Sequence, residues 1–471
     1  MKSFLKNIKI FFVIFVLLSV GLLTGLIWQQ HRSQSSLWAA AGENKHTLRS
    51  LYALAGSIYT RDNITLATSE QGGRQYSSDP VLAASVLQVV GDYTHIMGNT
   101  IEAAYQPELM GNERNIFRRV LLDFTGEGLR GDDLQLTIDS RLNKIAYTAM
   151  QGYKGAAVLL NYKTGEVLAM TSTPSTAPAN VINYKNIPDT ALLNRAINGV
   201  FPPGSTFKMI TAASFIKSER YDPNFTVKCT GAPLFNAAAK EIYGHGHGIM
   251  NLTDGFANSC NIFFGEVGRK VGLGELQQMA ETWGWNSPLS LDRLRVNTSR
   301  FSCPEHDEAI LTWASIGQPV GDIILQVTPL QLALQAATVA NDGKKPEPHI
   351  IAARRDPTGK VYHIISTTNS TKTVMSPEQA GLERKLMEHA VATGFVRAID
   401  IRGLEVGAKS GTAEVAGQAA TGLIAAYVKN DAYPLAVAVI LENCGAGAGV
   451  PLQVARQLLV NSIALYPNGI K

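Results

Sequence analysis

The sequence predicts an α+β fold: an antiparallel sheet assembled from both ends of one large domain, with a helical insert between them. Three observations carry this. Two apolar runs, Ala156–Tyr162 and Glu166–Ser172, are joined by Lys163-Thr164-Gly165, the pattern of strand, tight glycine turn, strand. Near the C-terminus, Gly403–Thr412, Leu423–Val428 and Leu435–Leu441 read as three more strands. Between the two blocks, from about Ala191 to Asn341, the apolar spacing is mostly helical. A sheet drawn from both ends around such an insert is a layered α/β sandwich of the α+β kind.

At the N-terminus, Ile10–Trp28 is nineteen residues without a charge. As a helix it spans about 28 Å, close to one hydrocarbon thickness. Lys2, Lys6 and Lys9 precede it and only Arg32 follows closely, which leaves a cytoplasmic tail (1–9) and places the bulk outside. A cleaved signal peptide is the alternative, with Ala39-Ala40-Ala41 as its cleavage site. The length of the apolar run and the distance to that triplet favour an uncleaved anchor (10–28).

Residues 29–130 read as a juxtamembrane stalk or helix followed by a mixed region of short apolar runs and turns, ending in glycine- and acid-rich sequence near Gly126. The main domain, 131–471, opens with alternation at Leu134–Ile138 and helical spacing over Arg141–Gln151. It closes with a helix over Val450–Leu465, where Leu452, Ala455, Leu458, Leu459 and Ile463 share a face.

With 471 residues the chain has room for more than one domain of roughly 100–200 residues. Its apolar share of 45% is that of a globular protein, and a net charge of +4 is too small to point to nucleic acid. Cys229, Cys260, Cys303 and Cys444 are widely spread, with no C-x-x-C pair and no zinc spacing. They read as structural.

Chemistry concentrates at Phe201–Lys208, FPPGSTFK. Pro202-Pro203-Gly204 interrupts any preceding helix and an apolar helical pattern follows, so Ser205 sits near a helix start with Lys208 three residues on. A serine hydroxyl becomes a nucleophile when a neighbouring base takes its proton. A lysine is that base only when burial or a second cation lowers its pKa. The plain alternative is a capped helix with a solvated lysine. Ser3-x-x-Lys6 and Ser214-x-x-Lys217 show how cheap the bare pattern is.

Two further stretches weigh on the choice. Ser259-Cys260-Asn261 offers a hydroxyl and a carboxamide ahead of a helical run. Lys409-Ser410-Gly411-Thr412 ends a strand, where the lysine supplies a second positive charge and Gly411 admits close backbone approach. Lys163-Thr164-Gly165 is a decoy, since it occupies a hairpin turn.

Serine-x-x-lysine, serine-x-asparagine and lysine-threonine/serine-glycine, in this order, resemble the signature set of penicillin-binding proteins and class A β-lactamases. The flanks LLNRAINGVFPPGSTFKMITA, GIMNLTDGFANSCNIFFGEVG and GAKSGTAE, and upstream GSIYTRDNITLA, resemble class B, monofunctional penicillin-binding proteins. By that resemblance residues 29–130 would be a stalk and a short, dimerisation-like pedestal, like that of the penicillin-binding protein A subgroup. Ser410 stands where the family usually has threonine, and Leu423-Ile424 where it commonly has an aromatic pair. Ala392-Thr393-Gly394-Phe395 replaces a Gly-Thr-Gly.

The resemblance implies a penicillin-binding/β-lactamase-like transpeptidase domain, with a five-stranded antiparallel sheet. It implies acyl transfer on peptidoglycan stem peptides, without metal, nucleotide or other cofactor. Ser205 would be the nucleophile, Lys208 its base, Ser259 the proton relay and Lys409 its electrostatic support. Asn261, Ser410, Gly411 and Thr412 would bind substrate. β-Lactam antibiotics would be ligands, and a membrane glycosyltransferase or cell-wall synthesis complex a partner. The rival readings are a D,D-carboxypeptidase, a β-lactam sensor or β-lactamase, and a non-enzymatic cell-wall scaffold. Glu266 and Glu275 are the carboxylates a β-lactamase could use.

Overall fold

The computed structural model describes residues 2–36, 52–69, 73–112, 130–232, 245–304, 308–364, 370–414, 417 and 419–470. The Ala39–Ala41 triplet and the expected boundary at Gly126 lie outside them. Helix α1 covers Lys2–Ser36. Its described side chains, 9–25 and 28, leave Ile10, Phe11, Phe12, Phe15, Leu17, Leu18 and Leu22 exposed. Among the described residues no helix is long and apolar enough to cross a membrane.

The strands that follow are β1 (Ile58–Tyr59), β2 (Thr65–Thr68), β3 (Gln75–Tyr76) and β4 (Asp133–Leu136). Helix α2 (Ser140–Ala149) leads into the hairpin β5 (Lys154–Asn161) and β6 (Val167–Thr173). The insert holds α3 (Lys208–Lys217), the ribbon β7 (Val227–Cys229) and β8 (Gly248–Met250), α4 (Leu252–Ala257), α5 (Asn261–Val271) and α6 (Pro329–Ala340). Then come β9 (Ile351–Arg355), β10 (Val361–Ile364), α7 (Pro377–Thr393), β11 (Glu405–Ala413), β12 (Thr421–Lys429), β13 (Leu435–Glu442) and α8 (Val450–Leu465).

The central sheet has the order β11-β12-β13-β5-β6, with every pairing antiparallel. Its middle strands are buried except at one end residue each, unlike the alternating pattern of a sheet with one wet face. Helices cover them: α2 and α8 pack on each other and on the sheet, while α6 packs across β5, β12 and β13. Leu423 and Ile424 are part of this core and have no exposure. Strand β11 is an edge, so one side of its backbone is open to an added strand.

A second sheet, β10-β9-β4-β1-β2-β3, draws strands from both sides of residue 130 and from 351–364. Its β1–β4 pairing is parallel. The GSIYTRD stretch ties this sheet to the main domain. Arg61 Nη1 lies 2.8 Å from Glu166 Oε1 in the β5–β6 turn. Asp62 accepts from Ser140 N at 2.9 Å and Ser140 Oγ at 2.6 Å, at the start of α2. In the same sheet region Arg74 and Glu102 form an ion pair of 2.7 Å with neither side chain exposed.

Candidate active site

Ser205 lies in a single 3₁₀ turn, Gly204–Phe207, and the regular helix α3 begins at Lys208. The prolines explain the break, because neither Pro202 nor Pro203 can donate a backbone hydrogen bond to a preceding turn. In 3₁₀ geometry residues i and i+3 eclipse, which puts Ser205 and Lys208 one above the other. Both are buried: Ser205 is 8% exposed and Lys208 fully enclosed.

The turn is pressed against β11 at two positions that admit no side chain. Gly204 has φ +50°, and a Cβ there would lie 2.5 Å from Thr412 O and 3.0 Å from Thr412 N. A Cβ on Gly411 would lie 2.8 Å from Pro203 O. These close approaches bring the amide of Thr412 beside the nucleophile turn. They explain why the strand motif requires glycine at that position. Gln318 Nε2 donates to Thr412 O at 3.0 Å and steadies the same strand.

Ser259 sits in the turn between α4 and α5 with φ +52°, a left-handed conformation unusual for serine. The turn presents its hydroxyl to two lysines. Lys208 Nζ lies 3.3 Å from Ser259 Oγ, and donates to Ser259 O at 2.5 Å and Asn261 Oδ1 at 2.7 Å. Lys409 Nζ donates to Ser259 Oγ at 2.9 Å and to Ser410 O at 2.9 Å. Burial, and then the nearby Lys208 charge, push Lys409 well below the ordinary lysine pKa. Each ammonium also lies over a ring, Lys208 over Phe264 at 5.7 Å and Lys409 over Phe256 at 5.6 Å.

A cleft of about 350 Å³ opens over this cluster. Ser205, Ser259, Ser410 and Thr412 line it, with Phe395, Ala446 and Ala448 as an apolar rim. His245 and His247 line it too, and the sequence reading missed both; only their H-x-H spacing could have drawn notice. Among the described residues that line the cleft there is no carboxylate. Glu266 pairs with Arg269 at 2.9 Å, and Glu275 lies 3.5 Å from Arg220.

The other serine–lysine and lysine–glycine matches fall elsewhere. Ser214 is buried inside α3 while Lys217 is exposed, and Ser3 is in α1. Lys163 pairs with Asp431 at 2.5 Å, and the amides of Lys163 and Thr164 donate to Asn161 Oδ1, as expected of a turn.

Residues 155–460 match the penicillin-binding protein transpeptidase domain. Over 352 residues the chain is 34% identical to the peptidoglycan D,D-transpeptidase PbpA of Mycolicibacterium smegmatis, covering 69% of this chain and 70% of that one. Over 384 residues it is 32% identical to PbpA of Mycobacterium tuberculosis, covering 75% and 77%. A structure of penicillin-binding protein A from M. tuberculosis as a ceftriaxone acyl-enzyme superposes with a TM-score of 0.77 at 28% identity, covering 88% of this chain and 99% of that one. A D,D-transpeptidase domain from Eggerthella lenta gives 0.77 at 26% identity, covering 87% and 98%. Motifs that lie far apart in sequence thus meet in one cleft, on a fold these relatives share, and the chain belongs to the class B penicillin-binding protein transpeptidases.

Proposed function

We propose that Ser205 is the nucleophile of this peptidoglycan D,D-transpeptidase, with Lys208 as its base. The observation that carries the reading is the convergence of Lys208 and Lys409 on the Ser259 hydroxyl, beside a cleft that Ser205 lines. Ser205 Oγ attacks the carbonyl between two terminal D-alanines as its proton passes to a neutral Lys208. The tetrahedral oxyanion accepts from the backbone N–H groups of Ser205 and Thr412, where one donor is worth roughly 10²–10³ in rate. Collapse breaks the C–N bond, and Ser259 delivers a proton to the departing D-alanine amine. An amine of a neighbouring stem peptide then attacks the ester, forms the cross-link and restores Ser205.

With two enclosed lysines on one hydroxyl, one of the pair gives up its charge; in this reading it is Lys208, and Lys409, although its own pKa is depressed, keeps the positive charge that supports the relay. Ser410 and Thr412 hydrogen-bond the substrate carboxylate, Gly411 keeps the β11 edge open, and Asn261 holds the donor amide. A β-lactam enters by the same attack and remains as an acyl-enzyme. Among the described residues that line the cleft no carboxylate is placed to activate water, which favours transfer to an amine over a β-lactamase. Mass mapping of a fluorescent penicillin adduct tests this: it should fall on Ser205, and an adduct on any other serine overturns the assignment.

The same reading makes α1 a single-pass anchor, with the N-terminus cytoplasmic and the catalytic domain outside, beside a glycosyltransferase or cell-wall synthesis complex. Residues 29–130 then act as the stalk and pedestal. Its support is the nineteen-residue uncharged run of the full sequence, of which residues 26 and 27 fall outside the described side chains, and the exposed apolar side chains within that run. Deleting residues 1–28 should move the protein from the membrane to the soluble fraction; retention on membranes would refute the anchor.

A further inference from the structure

Cys229, His247 and Cys260 are far apart in sequence but their ligand atoms lie within 4.8 Å of one another. Cys229 ends β7 and pairs across the ribbon with Gly248, the residue after His247. Cys260 caps α5, its sulfur accepting from Phe263 N at 3.3 Å, where the positive end of a helix favours negative charge. No disulfide joins the two sulfurs, and both cysteines are buried. Cys229 Sγ and His247 Nδ1 are 3.5 Å apart. Tetrahedral zinc, with bonds of about 2.3 Å to sulfur and 2.0–2.1 Å to nitrogen, places such a pair about 3.6 Å apart.

We propose that these three residues form a Cys₂His site for a thiophilic divalent cation, zinc in the first instance, in the wall of the catalytic cleft. Binding replaces two S–H protons by one M²⁺, so the two thiolates cancel the ion's charge and His247 adds a neutral third ligand. His245 lines the cleft together with His247, so water or His245 is available as a fourth ligand. The ion adds no net charge beside Lys208 and Lys409. Its effect is mechanical: Cys260 lies between Ser259 and Asn261, so the metal pins the relay turn to the β7–β8 ribbon.

Cobalt(II) titration of the detergent-solubilised full chain, kept reduced with a phosphine, tests the site. One equivalent should give a thiolate-to-cobalt charge-transfer band, zinc should displace it, and either ion should raise the melting temperature. Cys229→Ser should abolish the band while fluorescent penicillin still labels Ser205. Should that variant fail to fold, His247→Gln, at a half-buried position, should weaken cobalt binding at least tenfold. A reduced wild-type chain without the band overturns the proposal. So does an undiminished band in the variant that folds, or a Cys229–Cys260 disulfide in the isolated protein that yields no band once reduced. Penicillin labelling is read on the same samples, so loss of the transpeptidase reading and loss of the metal site are separate results.

Discussion

Two clusters of buried charge sit in different parts of this molecule, and they are opposites. In the sheet that links the N-terminal region to the main domain, Arg74 and Glu102 are wholly enclosed and face each other at 2.7 Å. Burial works against the Arg74 charge, but Glu102, with the neighbouring Tyr76 and Tyr52, together more than offset it and leave the guanidinium pKa raised. At the cleft, Lys208 and Lys409 are also enclosed, yet they carry the same sign and share one hydroxyl. The first arrangement pairs opposite charges, although burial still raises the Glu102 pKa and leaves Arg74 Nη2 and Glu102 Oε2 without a hydrogen-bond partner among the described residues. The second keeps one lysine well below its ordinary pKa, an unfavourable state for the fold and a useful one for proton transfer.

The largest effect expected is that of Ser205→Ala, which leaves the charges of both clusters in place. It should cut acylation on the order of 10⁶-fold, the scale of losing a serine nucleophile, with an unchanged melting temperature. Burst kinetics with a chromogenic β-lactam would measure it, and residual acylation near wild type would remove Ser205 from the mechanism. Lys409→Met comes next. Acylation at neutral pH should slow by about 10²–10⁴-fold while stability holds, because a buried charge with a depressed pKa is removed. A variant that unfolds but acylates normally would turn the comparison around.

Arg74→Met should do the reverse. It leaves Glu102 buried without its partner and should cost about 3–5 kcal/mol in denaturant unfolding. The fraction that remains folded should acylate at the wild-type rate. If Arg74→Met and Lys409→Met each lost both stability and rate, the two clusters would not be separable in this way.

A third buried ionisable site, with no counterion among the described residues, sharpens the contrast. Glu383 in α7 has no exposure, and neither carboxylate oxygen has a hydrogen-bond partner among the described residues. Burial raises its pKa well above 4.5 in the folded chain. Between the unfolded and folded values the native state holds a proton that the unfolded chain has lost. Stability from this group is therefore full below about pH 4.5 and falls as pH rises, by about 1.4 kcal/mol per unit, until the folded value is passed. Glu383→Met should stabilise the protein by about 1–3 kcal/mol at neutral pH and flatten this part of the pH–stability curve. Unfolding curves across the pH range decide it, and a pH profile parallel to wild type would exclude Glu383 as its source.

The main sheet was legible because its signals are local. The β5–β6 hairpin rests on the Lys163–Gly165 turn, and α8 falls over Val450–Leu465 as its apolar face predicts. The second sheet was not legible, because its central pairing joins Ile58 to Leu134 in parallel and two of its other strands come from residues 351–364. No turn or short-range period encodes such a contact. The strands of the cleft were legible to within a few residues, since β11 starts at Glu405 where the sequence suggested Gly403. That Ser205 lies in a 3₁₀ turn, with Lys208 opening the helix, follows from the prolines but not from apolar spacing. The cysteines read as structural because spacing along the chain says nothing about a ribbon folded back onto α5.

The seam between the nucleophile turn and β11 limits how this enzyme can escape its inhibitors. Any side chain at Gly204 or Gly411 would wedge the turn away from the strand and spoil cross-linking as surely as drug binding. The rim is under no such restriction: Phe395 is 52% exposed, and Ala446 and Ala448 also border the cleft. Under stepwise β-lactam selection, surviving alleles should therefore collect at the rim and spare both glycines. A single fit isolate altered at Gly411 would show that the seam has slack its close contacts do not suggest.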